Sequence, residues 1–232
     1  MKKKNLLKSI AIIPARKNSK RVKNKNIKIF KGKPLIYWTI KTALKSKLFD
    51  KVFVSTDSIK IKKISENAGA EVLYPRPIKL SGDYVKILDV INFEVKNLEK
   101  KLKFQNVCCI FPTAIFLSAN SLKEGLKKLT KNTNYVFSAI EDNKSVLRNF
   151  FFNKGQLCSI KSNFKNYNTQ QLPTTYKDAG QFYWGTKKNW LNKKNIFSNK
   201  SKVISLKSKK IIDLDTMSDW KKMKELEKCK KK

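Results

Sequence analysis

The sequence contains no histidine, and only 17 of its 232 residues are acidic. Without an imidazole, Ser-His-Asp and Cys-His nucleophilic catalysis are excluded. The four cysteines, Cys108, Cys109, Cys158 and Cys229, have no zinc-ligand spacing. Cys108 and Cys109 are adjacent inside an apolar run, which reads as buried, reduced thiols. No linker, repeat or low-complexity segment divides the chain. No apolar run approaches the length of a bilayer span. The lysines of residues 1–8 precede only a short apolar stretch, which Pro14-Ala15-Arg16 interrupts. The signal-peptide pattern is therefore missing, and the expected location is cytoplasmic, with no membrane partner.

Cations are abundant. Fifty-three Lys and Arg against the few acids give a net charge of +36. The lysines are spread over nearly every expected helix and turn instead of forming one stripe. This reads as a background that favours anionic substrates, with no specific nucleic-acid partner. A hydrophobic content of 41% indicates a globular chain. Residues 1–232 are read as one α/β domain.

The apolar pattern alternates strands and helices. Strands are expected at 10–13, 52–55, 71–74, 107–111, 135–140, 181–184 and 203–206. Helices are expected at 32–49, from Ser58 to 68, 84–102, 121–130 and after the capping box Thr216-Met217-Ser218-Asp219. The tail at 228–232 is expected to fray. This is the βαβ rhythm of a mostly parallel sheet. It breaks after about Ser145, where 150–158 reads as an antiparallel hairpin turning at Asn153-Lys154-Gly155. The excursion at about 146–180 suits a lid or a dimer contact.

Three constellations could carry chemistry. The first follows the strand Ile10-Ala11-Ile12-Ile13: Pro14-Ala15-Arg16-Lys17-Asn18-Ser19-Lys20-Arg21, continued by Lys23, Lys25 and Asn26. Ligands of parallel α/β sheets bind beyond the carboxyl ends of the strands, so Arg16, Lys20 and Arg21 stand where a polyphosphate would sit. In a lysine-rich chain the same residues also fit an ordinary solvated loop. The second is Asp213-Leu214-Asp215. Alternate carboxylates of an extended segment face one side and can share Mg²⁺; alternatively, Asp215 caps the last helix. The third is Tyr176-Lys177-Asp178-Ala179-Gly180-Gln181-Phe182-Tyr183-Trp184, which reads as a sugar-binding wall or as a strand with aromatic core residues.

Together these segments resemble the CMP-sialic acid synthetase (acylneuraminate cytidylyltransferase) family. The carrying motifs are Ile13-Pro14-Ala15-Arg16 with Ser19-Lys20, Lys25-Asn26-Ile27, Gly32-Lys33-Pro34-Leu35, Val54-Ser55-Thr56-Asp57, Arg76-Pro77 and Asp213-Leu214-Asp215-Thr216. The segments from Cys108 to Ala114 and from Asp178 to Trp184 are most similar to the pseudaminic acid cytidylyltransferases. The resemblance implies a Rossmann-like nucleotide-diphospho-sugar transferase fold. It implies transfer of CMP from CTP to a nine-carbon α-keto sugar acid, pseudaminic acid first, with N-acetylneuraminic and legionaminic acid as alternatives.

It also implies roles. Ala15, Arg16, Ser19, Lys20, Lys25, Asn26 and Arg76 would bind the nucleotide, and Asp213 and Asp215 would bind Mg²⁺. Gln170, Gln171, Asp178, Gln181 and Tyr183 would face the sugar. Arg16, Lys20 and Asp215 would be catalytic, and the excursion would build a homodimer. The chain departs from the family pattern at Lys17-Asn18, at Val85-Lys86-Ile87 and at Asn168-Thr169. Those departures motivate a different class of reading, a weakened non-catalytic paralogue; the charge motivates another, a polyanion- or RNA-binding protein.

Overall fold

The computed structural model describes residues 6–142, 144–206 and 211–228. Residues 1–5 and the tail at 229–232, with Cys229, lie outside the described residues.

Strand β1 (Leu6–Pro14) is the centre of the molecule. Ala11 and Ile13 are buried against one layer of helices, Ile10 and Ile12 against the other. A parallel strand covered on both faces reads as an unbroken apolar run, because neither row of side chains meets water. After the basic loop, β2 (Ile29–Phe30) and β3 (Lys33–Pro34) pair antiparallel and lead into helix α1 (Leu35–Lys45). This helix is shorter than the expected 32–49. Pro34 is held in β3 opposite Ile29, and Lys47, in left-handed backbone (φ 55°), follows the helix end.

Strand β4 (Lys51–Ser55), helix α2 (Ile59–Asn67) and strand β5 (Glu71–Leu73) follow the expected order. The Ile61 amide donates to the Ser58 hydroxyl at 3.3 Å, the cap that the sequence predicts. Helix α3 (Ile87–Glu99) starts later than Tyr84. Arg16 and Lys20 hold Asp83 in a loop, so tertiary ion pairs override helix periodicity there. Strand β6 (Lys103–Ile110), helix α4 (Ala119–Lys128) and strand β7 (Tyr135–Asp142) come next.

Strands β8 (Phe150–Asn153) and β9 (Gln156–Ser159) form the expected hairpin, a two-stranded sheet of its own. Lys154 (φ 48°) and Gly155 (φ 79°) make the two-residue turn that suits strand twist. Strand β10 (Thr175–Thr186) is far longer than the expected 181–184. Helix α5 (Lys187–Leu191), strand β11 (Lys202–Ser205) and helix α6 (Met217–Lys228) complete the chain.

Among the described residues the central sheet has seven strands in the order β11-β7-β10-β6-β1-β4-β5. Strand β10 is antiparallel to both neighbours, and the other pairings are parallel. The chain runs outward from β1 to β4 and β5, then returns to β6 on the opposite side of β1. That reversal opens a crevice beyond the ends of β1 and β6. Helices α1, α2 and α4 cover one face of the sheet, α3 and α5 the other. A smaller cluster of Val22, Phe30, Leu35, Leu214, Trp220 and Met223 packs α6 beside the crevice. Among the described residues, no helix is long and apolar enough to cross a membrane.

Gly125 marks the tightest approach of α4 to the sheet. A Cβ there would lie 2.7 Å from Trp184 Cδ1 and 2.9 Å from Phe182 Cε2. The better helix propensity of alanine, worth about 1 kcal/mol, does not offset that overlap. Gly125→Ala is expected to destabilise the protein by about 1–3 kcal/mol, read as a lower denaturant midpoint at unchanged slope.

Candidate active site

A cavity of ≈ 370 Å³ opens at the switch point between β1 and β6. One wall is the basic loop after β1, whose course is fixed by its backbone. The Ala15 amide donates to Ser55 O at 2.8 Å, which continues the β1–β4 ladder one residue past the strand. The Lys17 amide donates to Asp57 Oδ1 at 2.7 Å, and buried Asn26 donates through Nδ2 to Arg16 O at 2.9 Å. These bonds bend the loop so that Arg16, Ser19, Lys20, Arg21, Lys25 and Asn26 all line the cavity.

Two aspartates tie the cations of this wall together. Asp83 contacts Arg16 Nη1 at 2.5 Å and Lys20 Nζ at 3.0 Å. Asp215 Oδ1 contacts Arg21 Nη2 at 2.9 Å and Lys25 Nζ at 3.2 Å. Hydrogen bonds from Lys20 and Arg16 hold the Asp83 carboxyl below the usual range. Each carboxylate thus stands opposite a pair of cations, the arrangement that phosphate oxygens favour.

The floor is Arg76, which is 4% exposed. Its Nε donates to Ser81 Oγ at 3.1 Å and its Nη1 to Ser55 O at 3.5 Å, and Nη2 lies 3.9 Å from Asp57 Oδ1. Burial lowers its pKa, while Asp57 and Glu94 oppose that shift. Leu80, Val85, Ile87 and Val90 supply apolar surface beside it.

The opposite wall carries Asp178, Gly180, Tyr183, Asp213 and Asp215. Between the last two, Leu214 is fully buried in the cluster under α6. The extended backbone therefore turns both carboxylates to the cavity. Asp215 does not cap α6. Its carboxylate is engaged by Arg21 and Lys25, while Thr216 Oγ1 accepts from the Asp219 amide at 3.2 Å and Asp219 Oδ2 accepts from the Thr216 amide at 2.8 Å.

Asp213 is open to the cavity, yet desolvation by the surrounding protein, together with the charge of Asp215, pushes its carboxyl up to about 6. Asp178 adds to that repulsion. Concentrated negative charge on hard oxygen donors suits a divalent cation. Among the described residues no cluster of three ligand-type side chains encloses one, so the Asp pair fits Mg²⁺ only if substrate oxygens complete its shell. Gly180 makes room for this wall. It lies in left-handed backbone (φ 58°), and a Cβ there would meet Asp213 Oδ2 at 2.7 Å.

Asp178 is oriented from both sides. The Gly180 amide donates to its Oδ1 at 3.1 Å, and the Tyr183 hydroxyl donates to its Oδ2. Burial, then the Asp178 charge, pushes the Tyr183 phenol far up, so it stays a proton donor.

Most of the sequence-predicted residues meet here: Arg16, Ser19, Lys20, Lys25, Asn26, Arg76, Asp178, Tyr183, Asp213 and Asp215. Ala15 is buried behind the loop and contributes backbone only. Three more of the predicted residues do not line this cavity. Gln181 is buried, and the bulge between Asp178 and Tyr183 shifts the register of β10. Its side chain folds back so that Nε2 donates to Ala179 O at 2.8 Å. Gln170 and Gln171 are exposed on a short turn over Thr169–Gln171, where Gln171 Oε1 accepts from the Asn168 amide at 2.8 Å. Asp83 and Asp57 received no role from the sequence. Their signal was the scarcity of acids, which makes any aspartate beside a basic motif conspicuous.

The family described as Cytidylyltransferase matches residues 10–231 of this chain. A pseudaminic acid cytidylyltransferase of Campylobacter jejuni is 35% identical over 216 residues, covering 92% of this chain and 93% of the relative. A CMP-N,N'-diacetyllegionaminic acid synthase of Legionella pneumophila is 30% identical, covering 91% of this chain and 92% of the relative. Among solved structures, a CMP:2-keto-3-deoxy-manno-octonic acid synthetase complexed with CTP superposes with a TM-score of 0.73 at 15% identity. That match covers 96% of this chain and 99% of the other, and it shows the shared fold.

The raised Asp213 carboxyl has a consequence for stability. The folded chain holds an extra proton between about pH 4 and pH 6, so stability falls as pH rises through that window. Asp213→Asn removes the penalty. Its thermal midpoint is expected to exceed that of the wild type by about 2–4 °C at pH 7.5, for about 1 kcal/mol after solvent screening. At pH 4 the two midpoints should coincide in scanning calorimetry.

Proposed function

The chain belongs to the cytidylyltransferase family, and on that premise we propose that it joins CTP to a nine-carbon α-keto sugar acid, pseudaminic acid foremost. The products are the CMP-sugar and pyrophosphate. The observation that carries this reading is the cleft itself: four cations on one wall, two alternate aspartates on the other, at the switch point of the sheet.

In the proposed reaction the anomeric hydroxyl attacks the α-phosphorus in line. The new O–P bond forms as the bond to the β-phosphate breaks, and a carboxylate of the aspartate wall accepts the hydroxyl proton. Arg16 and Lys20, released from Asp83 by the incoming triphosphate, stabilise charge on the phosphate oxygens. Arg21 and Lys25 hold Asp215 at the cleft. Asp213 and Asp215 would hold Mg²⁺, which when bound supplies Lewis-acid stabilisation of those oxygens. Asp178, fixed by Tyr183, accepts hydrogen bonds from sugar hydroxyls.

The excursion supports a homodimer. Phe150, Phe152 and Leu157 on the hairpin are 58%, 77% and 60% exposed, an apolar strip that a second copy would cover. Gln170 and Gln171 lie outside the cleft of their own chain, so any sugar contact they make would cross that interface. Cys108, Cys109 and Cys158 are free thiols, as suits a reducing cytoplasm.

The surplus of lysine has structural uses that do not require a nucleic acid. Lys28 and Lys224 lie against the Trp220 ring at 5.0 and 5.8 Å, and Lys62 lies 5.3 Å from the Tyr74 ring.

Pure protein with CTP and Mg²⁺ is expected to release pyrophosphate with pseudaminic acid and not with N-acetylneuraminic or legionaminic acid. Release with either of the latter two reassigns the sugar, and silence with all three while CTP binds indicates a non-catalytic paralogue. Asp215→Asn is expected to cut turnover by about 10²–10³-fold with an unchanged circular dichroism spectrum. Retained, Mg²⁺-dependent turnover removes Asp215 from its role. Phe150→Asp with Phe152→Asp is expected to give monomers in sedimentation, whereas an unchanged sedimentation coefficient places the interface elsewhere.

A further inference from the structure

Helix α3 buries two polar side chains, Asn92 and Glu94. The burial of Asn92 has a structural reason: its Nδ2 donates to Trp190 O and Leu191 O, both at 2.9 Å, and so satisfies the end of α5. Glu94 closes no helix. It is 3% exposed, in a row otherwise filled by Val90, Ile91, Val95 and Leu98. A leucine of similar volume would fit the row without desolvating a carboxylate, and buried charges add little stability for their own sake. Its hydrogen-bond partner is Ser55, whose Oγ donates to Glu94 Oε1 at 2.6 Å.

Ser55 is the last residue of β4 and is fully buried. Its carbonyl accepts the Ala15 amide at 2.8 Å, at the root of the basic loop, and Arg76 Nη1 at 3.5 Å, on the floor of the cavity. One residue thus joins Glu94 to both nucleotide-facing elements. Arg76 is the most deeply buried cation of the cleft, and its guanidinium is attracted by Asp57 and Glu94 and repelled by Arg16. Asp57 is already shared with the Lys17 amide.

We propose that Glu94 is a positioning residue which, through Ser55, holds the Arg76 guanidinium in one orientation for the nucleotide. The role rests on the CTP reading of the cleft. Glu94 touches no substrate. Its carboxylate attracts the Arg76 guanidinium, and the Ser55 hydroxyl, committed to Glu94, fixes the residue whose carbonyl accepts from that guanidinium.

Glu94→Gln keeps the size of the side chain and an acceptor for Ser55 while removing the charge. The expected result is a rise in KM for CTP of about tenfold with kcat changed by less than about twofold. The calorimetric Kd for CTP should rise by the same factor. In an Arg76→Ala background, Glu94→Gln should alter that Kd by less than about twofold, because the residue it positions is gone. Ser55→Ala, which removes the hydroxyl and leaves the Glu94 charge in place, should show the same split and is the second variant if Glu94→Gln folds poorly. A purely structural carboxylate would lower the thermal midpoint and leave KM of the folded protein unchanged. Unchanged KM and Kd in both variants, or full additivity with Arg76→Ala, overturns the positioning role alone. A wild-type protein that binds no CTP overturns the nucleotide reading and the positioning role with it.

Discussion

The molecule depends on one strand that has no polar side. Because β1 is covered on both faces, it must sit in the middle of the sheet, and chain segments must add to it from left and right. The reversal of direction leaves a gap beyond Pro14 and Ile110, where backbone groups have no continuing strand to pair with. The chain fills that gap with the Ala15–Ser55 bond on one side and the Phe111 amide on Gln181 O, at 3.0 Å, on the other. The cleft is the space between those two anchors.

Charge is organised within that frame by scarcity. A chain with so few acids places Asp83, Asp178, Asp213 and Asp215 around a single cavity, with Asp57 bound to its loop and its floor through Lys17 and Arg76. Asp57 and Asp83 constrain the basic loop and the segment before α3. Asp213 is packed against Gly180 and beside Asp215, and desolvation, then the charge of Asp215, pushes its carboxyl up to about 6. Sites that must receive charged substrates tolerate such unfavourable arrangements, and the neighbouring core bears the cost. Arginine follows the same logic. Three of the four arginines, Arg16, Arg21 and Arg76, line the cavity, where a rigid, always-charged fork is of most use.

Much of this was legible in one dimension. The unbroken apolar run predicted β1, Ser58 predicted the start of α2, and Asn153-Lys154-Gly155 predicted the hairpin turn. The alternation Asp213-Leu214-Asp215 predicted two carboxylates on one side, and buried Leu214 is what enforces it. The misreadings share one cause. The helix expected from Tyr84 is postponed because Asp83 is pulled to Arg16 and Lys20, residues far away in sequence. The family resemblance places Gln181 at the sugar wall, but the register of β10 shifts between Asp178 and Tyr183 and the buried Gln181 side chain bonds back to Ala179 O.

By itself, then, the sequence determined the βαβ order, the central strand, the loop that carries the cations and the aspartate pair, since each rests on contacts or periodicities within a few residues. The tertiary structure alone decided which aspartate faces which cation, which way β10 turns its side chains, and that Glu94 and Arg76 meet at Ser55. Those depend on distances between segments as much as about 190 residues apart, as for Lys25 and Asp215. Electrostatic energy in a partly buried cleft is set by such distances and by desolvation, and neither is written in local pattern.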